Sequence, residues 1–72
     1  MGRQEYTTLH FSQSNPLGEG QADVPKLLKT VAATLQDLGD ITVTDLILHN
    51  EITADGDWPS ITVYYDRENG TE

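Results

Sequence analysis

His10 and His49 are the only histidines of the chain, and an imidazole that titrates near neutrality is the first group to ask for acid–base or metal chemistry. Tyr6 and Tyr64 have phenolic hydroxyls that can donate hydrogen bonds beside such a ring, and Asp45 offers a carboxylate. There is no cysteine, so thiolate metal sites and thiol nucleophiles are excluded in this sequence. The serines fall in loops and at the end of the first strand segment, and no Ser–His–Asp constellation follows from their spacing.

Two glycine-bearing stretches raise the question of bound ions. SNPLGEGQAD, residues 14–23, leaves a strand segment and runs into a helical one, as a phosphate loop does. Neither G-x-x-x-x-G-K-[ST] nor G-x-G-x-x-G is present, and Glu19 and Asp23 put carboxylates where an anion would sit. The passage from Ser12 to Ala22 therefore reads as a crossover connection without bound phosphate. Asp55-Gly56-Asp57 resembles part of a calcium loop, but aligning Gly56 with that loop's invariant glycine puts Thr62 where the bidentate glutamate belongs. A polar hairpin loop is the reading that remains.

Four periodic segments must position these side chains. Glu5–Ser12 alternates Leu9 and Phe11 with Tyr6, Thr8 and His10, which predicts a strand. Val24, Leu27, Leu28, Val31, Leu35 and Leu38 recur at helical spacing, with Asp23 as N-cap, Pro25 in the first turn and Gly39 at the end. Ile41–Asn50 is a strand whose phase slips, because Ile41 and Val43 alternate on one parity and Leu46 and Leu48 on the other; a bulge near Thr44-Asp45 reconciles them. Ser60–Asp66 is the third strand, and EITADGDWP is expected to be a longish hairpin loop before it.

The order β-α-β-β predicts an α+β fold of two layers. Its right-handed crossover and hairpin give a three-stranded, mostly antiparallel sheet of order 1-3-2, with one helix on one face. The other face then carries Tyr6, His10, Asp45, Ile47, His49 and Tyr64, the candidate ligand or interface residues. In this order the histidines lie on strands separated by a third, roughly 10 Å apart at closest, so a metal shared within one chain is not expected.

Composition bounds the function. Twelve acidic residues against four basic ones give a net charge of −8, with no basic stripe for nucleic acid and the wrong sign for anionic membranes. No apolar run reaches the roughly 18 residues of a membrane span, and the first residues lack the apolar core of a signal peptide, so a soluble cytoplasmic protein is expected. One domain is expected, with an ordered core over about residues 5–67 and tails at 1–4 and 68–72. A chain this short buries only about 60% of its unfolded surface, and a partner would supply what its own core lacks. Apolar residues in both phases of the second strand add a sticky surface. The expectation is therefore an interaction module or accessory subunit, homodimeric or paired with another protein, without cofactor and without catalysis, its axis near Ile47 and Tyr64. A small ligand-binding domain or minor enzyme on the open face, and an acidic decoy for a basic partner, are the alternatives.

Overall fold

A computed structural model describes residues 9–67. Strand β1 spans Leu9–Ser14, helix α1 Val24–Leu38, strand β2 Ile41–Thr53 and strand β3 Gly56–Arg67. The sheet has the order β1-β3-β2 with both pairings antiparallel, the α+β arrangement the segment order implies.

Each end of α1 is closed by its own chemistry. Asp23 lies in extended backbone and its carboxylate accepts from the Lys26 N–H at 3.1 Å, satisfying a donor that has no partner inside the helix. Pro25 occupies the first turn without loss of a hydrogen bond. At the far end Gly39 takes φ 86°, its N–H donates to the Gln36 carbonyl, and the Arg67 guanidinium donates to the Leu38 carbonyl at 3.1 Å, a cation at the negative end of the helix dipole.

The crossover loop is tied down by two buried amides. Asn15 Nδ2 donates to the carbonyls of Gly20, Gln21 and Asp23 at 3.2, 3.4 and 2.9 Å. Gln21 accepts from the Gly18 N–H and donates to Thr53 Oγ1 and the Gly56 and Asp57 carbonyls. The loop is thereby latched to the turn end of the β2–β3 hairpin, and Trp58 adds a third tie through its indole N–H to the Asn15 carbonyl at 2.8 Å. With the Asp23 carboxylate on the Lys26 N–H, a negative charge already stands at the start of α1.

The expected hairpin loop is in fact strand. β2 and β3 stay paired from Ile41↔Arg67 to Thr53↔Gly56, so the connection shrinks to a tight turn at Ala54-Asp55. Thr53 Oγ1 closes it by accepting from the Asp55 N–H and donating to the Gly56 carbonyl, and Gly56 takes φ 120°, which side-chain-bearing residues rarely adopt. Pro59 is tolerated in the central strand because β1 ends opposite Ser60; beyond that point β3 has a neighbour on one side only. The long ribbon sets the dimensions, with principal extents of 50 × 23 × 14 Å and a radius of gyration of 15.1 Å. A compact chain of this length would have about 11 Å.

The core is small. Leu27 and Val31 of α1 meet Ile61 and Val63 of β3, all at most 2% exposed, with Phe11 and Leu35 packed around them. The single helix lies on one face of the sheet, as the segment order implies, but off its centre. It packs chiefly on β1 and β3. A helix about 10 Å wide spans two strands spaced about 4.8 Å apart, and β2 lies beyond its reach.

Candidate functional site

The register settles which way each strand residue points. Pro59, Ile61, Val63 and Tyr65 are buried and face the helix, so their neighbours across the ladder face it as well. The alternate residues define the open face. There His10, Tyr64 and Asp45 stand side by side across the sheet, one from each strand, with the His10 and Tyr64 rings 5.5 Å apart and tilted by 31°. Ser12, Thr62 and Ile47 form the next row, joined by a 2.7 Å hydroxyl contact between Ser12 and Thr62. His49 sits opposite Ser60, four residues along β3 from the His10 row. The two histidines are thus separated by two strand spacings and four residues, roughly 17 Å. Tyr6 lies outside the described residues.

The structure therefore brings His10, Asp45 and Tyr64 together, sets Ile47 one row away, and leaves His49 apart. Chemically the row is an exposed surface: His10 and Asp45 are exposed, and one carboxylate oxygen of Asp45 accepts from the Leu46 N–H at 2.9 Å. Among the described residues no wall of the sheet face excludes water around it, and without exclusion of water an imidazole and a carboxylate gain little from being neighbours. Among the described residues no group of three or more His, Asp or Glu converges on a point that would hold a metal ion.

The opposite face of β2 carries the more distinctive surface. The register shifts between Val43 and Asp45, so the predicted bulge exists and it turns Ile41, Val43, Leu46 and Leu48 onto the same, helix-facing side. Of the apolar residues in β2 only Ile47 looks to the open face. Because α1 stops short of β2, Val43, Leu46 and Leu48 remain 42%, 45% and 47% exposed. The helix adds a wall to this floor. Thr34 accepts a hydrogen bond from Gln13 of β1, which fixes that flank of α1 over β1. Leu28 and Leu35 lie about 100–120° around the helix, on the flank toward β2. Leu28 is 45% exposed.

No family model, curated protein or solved structure matches the chain.

At the hairpin end the step between α1 and β2 deepens into a hollow of about 220 Å³ lined by Val24, Leu48, Asn50, Asp57 and Pro59. Small-molecule pockets run from about 300 to 1,000 Å³ and enclose their ligand, whereas this one is open along β2. Val43, Leu46, Leu48 and Leu28 were not among the sequence-derived candidates. The signal was present in the phase slip at Thr44-Asp45, which implies the bulge and hence a single apolar side; what the sequence does not show is that this side lies outside the shadow of the helix.

Proposed function

We propose that the protein is a small interaction module that works as a homodimer, as a subunit or accessory factor, and that β2 is its working surface. The observation that carries this reading is the apolar step of Leu28, Val43, Leu46 and Leu48, each nearly half exposed beside a core in which, among the described residues, four large side chains are fully buried. Each such residue leaves on the order of 80 Å² of apolar surface in water, and burying it stabilises by about 2 kcal/mol. Twofold self-association is the commonest way for a small soluble protein to cover such a surface. The surplus of acidic residues keeps nucleic acid away from it.

Sedimentation equilibrium at micromolar concentration tests the reading. A species of twice the 8.0 kDa chain mass is expected. The double substitution Leu46→Glu/Leu48→Glu should give a monomer with the circular dichroism of the parent, association weakened by at least about 100-fold. A parent chain that is folded and monomeric at that concentration refutes self-association.

A further inference from the structure

We infer that the second copy adds to the β2 edge, antiparallel, about a twofold axis through Ile47, so that two chains share one six-stranded sheet; the inference rests on the homodimer reading above and specifies its geometry. β2 is the exposed edge best suited to this. It is 13 residues long against six for the described part of β1, and it contains neither lysine nor proline, the residues that most often block an edge. Strand addition would give its outward N–H and C=O groups partners in place of water.

Side-chain matching selects the register. If both helices lie on the same side of the shared sheet, the axis is perpendicular to it and one residue must face its own copy. An axis through Asp45 or His49 sets like groups against each other. Through Leu48, it sets Asp45 against Glu51 of the partner subunit, a like-charge pair. Through Leu46, it drives the bulge at Thr44 against the partner's Leu48. Through Ile47, the five central positions are free of these clashes, and the bulge at Thr44 moves outward to lie opposite the partner's Asn50: Leu46 meets the partner's Leu48 on the helix-facing side, while Asp45 meets the partner's His49 on the open side, flanking the Ile47 pair. Twofold symmetry makes each of these contacts twice. Asp45 is already held against its own strand by the 2.9 Å contact with the Leu46 N–H, leaving its second oxygen for the imidazole. In a chain of net charge −8 this is the place where two copies meet through opposite rather than like polarity.

The absence of cysteine makes the geometry directly measurable. Single substitutions to cysteine at positions 45–49 would be oxidised mildly and the rates of disulfide formation compared. Directly opposed residues in an antiparallel pair have Cα atoms about 4.5–5.5 Å apart, within disulfide range, whereas a residue offset by two positions lies more than about 7 Å from its copy. Ile47→Cys should therefore cross-link at least about tenfold faster than Leu46→Cys or Leu48→Cys. His49→Glu should weaken dimerisation about tenfold, and Asp45→Lys/His49→Glu, which exchanges the charges, should restore it. A dimer whose cross-linking peaks elsewhere, or is flat across the five positions, overturns the edge geometry and leaves the homodimer standing. A monomer in sedimentation overturns both.

Discussion

Leu27→Ala is expected to leave most of the chain unfolded at room temperature. Leu27 has no exposed surface and lies at the centre of a core that otherwise comprises Val31, Ile61 and Val63. Truncating a buried leucine costs about 3–5 kcal/mol, part lost transfer energy and part the cavity that remains. A single core in a domain of this size supplies a net stability of only about 3–5 kcal/mol, so one cavity offsets nearly all of it. Urea denaturation followed by far-ultraviolet circular dichroism, repeated across a range of protein concentrations to separate folding from association, measures the loss. A variant that keeps a cooperative transition within about 1 kcal/mol of the parent would mean that these four side chains are not the core.

Asn15→Asp should be nearly as damaging at neutral pH, with almost no change in shape. The Asn15 side chain is 3% exposed, and its NH₂ group points at three carbonyl oxygens. Replacing that donor by a carboxylate sets negative charge against the carbonyls in a site with little water, at a cost of about 3–5 kcal/mol. Desolvation and the carbonyl dipoles raise the introduced carboxyl above its unfolded value of about 3.9. The destabilisation is therefore complete above the raised folded value, shrinks as pH falls below it, and is gone below the unfolded value, where the group is protonated in both states and can again donate one hydrogen bond. Trp58, the only tryptophan, donates to the Asn15 carbonyl and so reports the event: its emission should shift to the red when the loop detaches. Equal variant-to-parent differences at neutral and acidic pH would show that the amide does not hold the loop.

Much of this architecture was readable because each signal was local. Helix α1 was legible to the residue, since Asp23, Pro25 and Gly39 mark its ends by backbone chemistry that does not depend on the rest of the chain. The bulge was legible because two parities of apolar residues cannot share one face of an unbroken strand. The extension of the hairpin was not, because Glu51, Asp55, Asp57 and Pro59 have the composition of a loop; yet Glu51, Asp57 and Pro59 stay in register on a ribbon that has lost its third strand, and Asp55 forms the turn. Asn15 and Gln21 were equally opaque, as an asparagine before proline and a glutamine among glycines are ordinary loop residues until burial gives the Asn15 amide three carbonyls to satisfy and the Gln21 amide two carbonyls and a hydroxyl. That His10, Asp45 and Tyr64 form one row needed the register, bulge included, and the apolar step needed the width of the helix.

The tight turn at Ala54-Asp55 also sets a timetable. It closes through a contact between residues three apart, Thr53 and Gly56, while β1 reaches β3 through Ser12 and Thr62, fifty positions apart. Loop-closure entropy separates the two events by about 2.5 kcal/mol, so the ribbon forms first and β1 docks onto it afterwards. In refolding kinetics, Gly56→Ala should slow the folding arm, while Ser12→Ala should leave that arm alone and speed unfolding; the reverse pattern would contradict this sequence of events. On a ribosome the same ordering means that β1, which emerges before β2 and β3, waits unpaired until both have been made.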